Sequence, residues 1–200
     1  MRSAAEAPVT LGITGASGAP YAVRLLQILN ETATPTRLII SGYGLRLLEE
    51  EAGIVGLQGL REATGDWSLV ESYDAGDRGA TPASGSAPSR AMVICPCSMG
   101  TLASIASGTS RNLIDRAADV ALKERRPLIM VPRETPLSLI HLRNMVRLTE
   151  AGATIMPAAP GFYHRPGSIG ELVDFVVGRI LDHIGIGYPM RRWKSGELPG

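Results

Sequence analysis

Residues 9–18 read VTLGITGASG, an apolar run (Val9–Thr14) that stops in small residues and opens an amphipathic helix over Pro20–Glu31. The same arrangement occurs twice more. Ala91–Pro96 runs into Cys97-Ser98-Met99-Gly100-Thr101, and Leu128–Pro132 runs into Arg133-Glu134-Thr135-Pro136. In an open parallel sheet the carboxyl ends of the strands share one edge, so these three turns face one crevice. Two of them offer backbone N–H groups and hydroxyls, which suit an anionic phosphate. The third sets a guanidinium beside a carboxylate. Together they predict a phosphorylated cofactor or substrate.

Outward from these turns, strands and helices alternate. Arg37–Ser41 reads as a strand and Leu45 to about Ala52 as a helix. Between Gly53 and Ser89 the signal is weak, with one strand at Leu69–Tyr73 and a loop at Thr81–Ser89 that has little apolar content to hold it on its own subunit. Met92–Cys95 and Leu128–Val131 are continuous apolar runs, as in strands buried on both faces. Helices are expected at Thr101–Ala106, Leu113–Glu124, Leu137–Ala151 and Ile169–Ile184, with a strand at Thr154–Met156. This order predicts one α/β domain, a mostly parallel sheet with helices on both faces. The tail after Gly185 is irregular and carries Trp193 among Arg191, Arg192 and Lys194.

The chain has 200 residues, enough for one domain with a substantial core. Twenty basic against 19 acidic residues, a net charge of +1, argue against nucleic acid or an anionic membrane as the main partner. The two cysteines, Cys95 and Cys97, should share a strand face, and Pro96 between them suits neither a redox pair nor a zinc knuckle. With histidines only at 141, 164 and 183, no metal site is expected. Met1–Pro8 lacks the apolar core of a signal peptide and no run approaches membrane-spanning length, so a cytoplasmic location is expected.

Spacing alone leaves the chemistry open. Gly12-x-x-Gly15-x-x-Gly18 is not the dinucleotide fingerprint, and the turn has no P-loop lysine. From spacing alone Ser17 reads as a helix cap rather than a ligand contact. Arg116 and Lys123 share a helix face two turns apart, yet Asp115, Asp119 and Glu124 around them suggest ordinary solvated charge. Glu51 ends an acidic run with Glu49 and Glu50, and Tyr163 could simply cover the core. Arg179, inside the apolar stretch Leu172–Leu181, needs a partner or an anion if buried.

Larger blocks are more specific. TGASGA (14–19), ISGYG (40–44), PASGS (82–86), AMVICPCSMGTLASIASG (91–108), NLIDRAADVALKERRPLIMVPRETPLSLIHLRNM (112–145), PAAPGFYHRP (157–166) and LVDFVVGRIL (172–181) resemble the UbiX-type flavin prenyltransferases. The resemblance implies a flavodoxin-like Rossmann architecture and a homo-oligomer, typically a homo-dodecamer built of trimers. It implies metal-independent transfer of the dimethylallyl group of dimethylallyl monophosphate to reduced FMN, through bonds at N5 and C6. The prenylated FMN then serves a partner decarboxylase. Carried over by position, Gly15, Ala16, Ser17, Ser41, Ser98, Met99, Gly100, Thr101 and Arg133 would contact FMN. Arg116, Lys123, Glu134, Tyr163 and Arg179 would form the prenyl phosphate pocket. Ser17 and Glu51 would handle protons, Trp193 would cover the prenyl group, and Ser84-Gly85-Ser86 would reach a neighbouring subunit.

The chain departs from the pattern at Gly42, where many members carry a basic residue, and Gly53–Gly79 matches no block. Two rival readings are a flavin-dependent cysteine decarboxylase of the same superfamily and a non-catalytic FMN carrier. The first should carry a PxMNxxMW-type block, which the chain lacks. The second has no use for a phosphate pocket beside the flavin.

Overall fold

The computed structural model describes residues 7–189, so Trp193 lies outside the described residues. Strand β1 (Val9–Ile13) sits at the centre of a sheet whose every neighbour pair is parallel. The other strands are β2 (Thr36–Ile40), β3 (Val70–Asp74), β4 (Ala91–Cys97), β5 (Leu128–Pro132) and β6 (Thr154–Ile155), in the order β3-β2-β1-β4-β5-β6. Without the edge strand β3, the remaining five follow the flavodoxin order, and the topological switch falls between β1 and β4.

Period-two alternation feeds two cores. Leu11, Ile13, Leu38, Val93 and Val131 point to one face, where α1 (Ala19–Glu31), α2 (Gly42–Ala52), α3 (Gly56–Thr64) and α7 (Ile169–His183) cover them. Ile39, Met92, Ile94 and Met130 point to the other, under α4 (Met99–Ala106), α5 (Leu113–Lys123) and α6 (Leu139–Glu150). Gly12 lets α5 approach closely, since a Cβ there would stand 3.1 Å from Ile114 Cγ2.

Three expectations need correction. Helix α3 lies in the stretch read as weak signal: Leu60 and Thr64 bury one side of it, but it is only nine residues long, contains Gly56 and Gly59, and has no capping side chain to mark its start. Cys95 and Cys97 do not share a face; they fall in opposite cores, because the pairing of β4 with β5 shifts register between Ile94 and Cys97. The Thr81–Ser89 loop is firmly held on its own chain. Pro82 is buried, the Arg126 guanidinium donates to Gly85 and Ala87 carbonyls at 2.6 and 2.9 Å, and Arg37 donates to the Pro88 carbonyl at 2.9 Å. Its anchors are these guanidinium groups together with Pro82 and Ala83, which pack inward.

Candidate active site

The β1 and β4 turns meet at the switch point. After β1 the chain passes through Gly15, Ala16 and Ser17 before Gly18, whose φ of 128° only glycine adopts freely, starts α1. A Cβ on Gly15 would overlap that of Tyr43, so glycine lets the turn lie against the first turn of α2. Tyr43 itself is 73% exposed at the rim of the crevice. Ser41 caps α2, its Oγ accepting the Gly44 N–H at 3.1 Å. Ser98 likewise caps α4, accepting the Thr101 N–H at 3.2 Å.

These caps leave donors over. Among the described residues the N–H groups of Gly15, Ser17, Met99 and Gly100 have no protein acceptor. The amide of Ala16 is satisfied by the Thr14 carbonyl at 2.9 Å. Four free amides on two adjoining turns, with the first turn of α4 among them, suit a phosphorylated ligand with hydrogen-bonding edges, such as a flavin mononucleotide.

Glu51 supplies the negative charge of the site. Its Oε2 accepts the Gly18 and Ala19 N–H groups, both at 2.8 Å, so the carboxylate occupies the amino end of α1. Burial pushes its pKa up, but the Gly18 N–H, the Ser17 hydroxyl, the Ala19 N–H and the Arg133 guanidinium together outweigh this and hold the carboxyl below its usual range. Arg133, just beyond β5, donates its Nε–H to the Ser17 carbonyl at 3.1 Å. Ser17, Glu51 and Arg133 therefore form one cluster. Glu134 follows it, exposed, accepting the Thr135 N–H at 3.0 Å.

The residues expected around the prenyl phosphate do not gather within one chain. Arg116, on α5, pairs with Asp119. Lys123 ends α5 at the opposite edge of the sheet, paired with Glu124 beside Gly85. Tyr163, half exposed, stands edge-on to His164 and Phe175 at 5.6 and 5.7 Å. Arg179 lies on α7, across the sheet from α5; it is exposed and donates to Asp182 at 3.2 Å, so the helix does not bury it.

Comparison with known proteins decides the lineage. The Flavoprotein family model matches residues 1–181. The flavin prenyltransferase UbiX of Pseudomonas aeruginosa is 49% identical over 199 residues, covering 95% of each chain. The chain belongs to the UbiX flavin prenyltransferase family. Among solved structures, AnUbiX (PadA1) in complex with FMN and dimethylallyl pyrophosphate superposes with a TM-score of 0.89 at 39% identity, covering 96% of this chain and all 100% of that one. A dodecameric FMN-dependent UbiX-like decarboxylase from Escherichia coli O157:H7 gives 0.87 at 40% identity, covering 94% and 100%.

Two features of this UbiX-family site escape motif reading. Arg111 donates to the Gly100 carbonyl at 3.0 Å and to buried Asp115 at 3.0 Å, bracing the α4 turn from behind. Thr14, 2% exposed, bonds both turns at once. A hydroxyl at the end of an apolar strand is the available signal for Thr14. Arg111 offers none, since its partners are a backbone carbonyl and a carboxylate inside a helix. Burial raises the pKa of both Cys95 and Cys97 far above the usual thiol range, which keeps them inert.

Proposed function

We propose that this protein is a flavin prenyltransferase acting in the crevice between the β1 and β4 turns. The observation that carries this reading is the pairing of four free amides with the Ser17–Glu51–Arg133 cluster at the topological switch point. Reduced FMN, when bound, supplies the nucleophilic N5 and C6 positions to which the dimethylallyl group is joined. The amides of Gly15, Ser17, Met99 and Gly100, with the Ser41 and Thr101 hydroxyls, would hold it, and Arg133 would lie over its edge. Loss of the allylic carbon–oxygen bond releases a phosphate, and a fixed guanidinium stabilises that growing charge more than the charge of the intact ester. Glu51 and the departing phosphate would share the proton that the flavin loses, and the Glu51 carboxylate orients the Ser17 hydroxyl and favours cationic character nearby.

The remaining pocket residues would come from another copy. Lys123 and the Ser84-Gly85-Ser86 loop share one edge of the sheet, away from the crevice. Helix α6 supports self-association: Leu139, Ile140, Leu142 and Val146 are 60, 69, 45 and 55% exposed, more apolar surface than an isolated chain favours. A dodecamer like that of the Escherichia coli relative would bring one copy's Lys123 edge to a neighbour's crevice. Dimethylallyl monophosphate is the donor we favour, although the AnUbiX complex holds the pyrophosphate. A partner decarboxylase would use the product.

The test is to incubate the protein anaerobically with reduced FMN and dimethylallyl monophosphate and weigh the flavin released. A mass increased by one prenyl group, with a fourth ring by NMR, is expected. Unchanged FMN would leave a carrier, and decarboxylation of a cysteine-ended peptide would favour the rival enzyme.

A further inference from the structure

We propose that Thr14 is a positioning residue whose hydroxyl fixes the gap between the two turns that grip the flavin. The inference rests on the FMN-binding reading above and concerns a side chain that need not touch the ligand.

The regular ladder between β1 and β4 ends at the pair Gly12–Ile94, and the register of β4 against β5 shifts from Ile94 onward. Beyond that point the two turns lead into α1 and α4 on opposite faces of the sheet, and a single main-chain bond, Thr14 N–H to the Pro96 carbonyl, is left to tie them. Thr14 takes over. Its Oγ1–H donates to the Pro96 carbonyl at 2.9 Å, and the same oxygen accepts the Ser98 N–H at 2.8 Å. Its main-chain N–H also reaches the Pro96 carbonyl, at 3.2 Å, while its carbonyl receives the Ala16 N–H at 2.9 Å. One buried residue thus ties the peptide that carries the β1 amides to the cap that opens the α4 turn.

A ligand that bonds to both turns senses their separation, and a preset separation spares it the cost of drawing them together. Valine has the shape of threonine but its side chain neither donates nor accepts, so it would leave the part-buried Ser98 N–H without its acceptor and the Pro96 carbonyl with only the main-chain N–H of residue 14. Serine keeps the hydroxyl.

The experiment compares wild type, Thr14→Ser and Thr14→Val as the full assembled chain. FMN is titrated by fluorescence at a temperature where thermal unfolding shows each apoprotein folded, and exchange of the Ser98 amide is followed beside it. The expected result is an FMN Kd raised about tenfold or more in Thr14→Val, the effect of one hydrogen bond lost from the preset geometry. Ser98 exchange should quicken in that variant, and Thr14→Ser should restore both. If Thr14→Val does not fold, Thr14→Ala is read in its place. A valine or alanine variant that melts earlier yet binds FMN like wild type would overturn the positioning role and leave a purely structural one. Wild type that fails to bind FMN would instead overturn the FMN reading, and this inference with it.

Discussion

The two edges of the sheet handle their polar groups in opposite ways. At the edge that carries Lys123, arginines close off the main chain: Arg126 and Arg37 saturate the Gly85, Ala87 and Pro88 carbonyls and pin the loop. At the crevice edge, four amides stay free and the charges of Glu51 and Arg133 stand in the open. Amides exposed in this way bond water, which an anionic ligand can replace. Leaving them unpaired on one edge, while tying the other down tightly, fits an edge that waits for a ligand and an edge presented as a finished surface to a neighbour.

Substitutions on the two edges should separate their roles, the largest effects coming from charge. Lys123→Ala and Arg133→Ala should each cost roughly 2–4 kcal/mol in single-turnover prenylation, by removing a cation from the departing phosphate. They should differ in FMN affinity, which Lys123→Ala leaves near wild type and Arg133→Ala weakens. A Lys123→Ala protein with normal turnover would return Lys123 to the solvated surface. Next comes assembly: Ile140→Asp places a charge on the exposed apolar face of α6, and sedimentation should show a smaller species with an interface weakened by about 2 kcal/mol or more. Unchanged assembly would move the interface elsewhere.

A packing effect of intermediate size sharpens the crevice side. Gly15→Ala should weaken FMN binding by about 1–3 kcal/mol, since the new methyl meets Tyr43 and must push α2 away. Tyr43→Gly should relieve much of that loss in the double variant, which makes the pair non-additive. The smallest effect is electrostatic. Because the Glu51 carboxyl is held below its ordinary value of 4.5, it adds stability above that pH and loses the contribution as pH falls through the lower folded value. Thermal unfolding of wild type against Glu51→Ala should therefore differ most at neutral pH, by at most about 1 kcal/mol for so exposed a cap, and converge in acid. A gap that persists in acid would mean the carboxylate charge is not what holds α1.

Much of this was legible in the chain, and the failures have physical reasons. The buried strands β1, β4 and β5 are unbroken apolar runs, so their positions and the crevice at their ends follow from composition. Ser17, read from spacing as a helix cap, does not cap α1: Gly18 stands at that position and Glu51 takes the amides, while Ser41 and Ser98, selected by resemblance as flavin contacts, are the serines that cap. Helix α3 is short, holds two glycines and lacks a capping side chain, and the Cys95–Cys97 alternation breaks because strand periodicity presumes a constant register. Glu51 could not be told from its acidic neighbours, because what distinguishes it is the amino end of a helix 32 residues away in sequence. Arg116, Lys123, Tyr163 and Arg179 were selected by resemblance alone, and one chain does not bring them together.

The claim that the finished edge of one copy completes the open edge of another has a direct test in subunit mixing. Lys123→Ala and Arg133→Ala chains, each inactive alone, are co-expressed and the mixed assembly is purified. If each site draws Arg133 from one copy and Lys123 from its neighbour, about a quarter of the sites regain both groups and prenylation recovers to about that fraction of wild type. If both groups act within a single chain, no site contains an intact pair, and mixed assemblies as inactive as their parents would contradict the account.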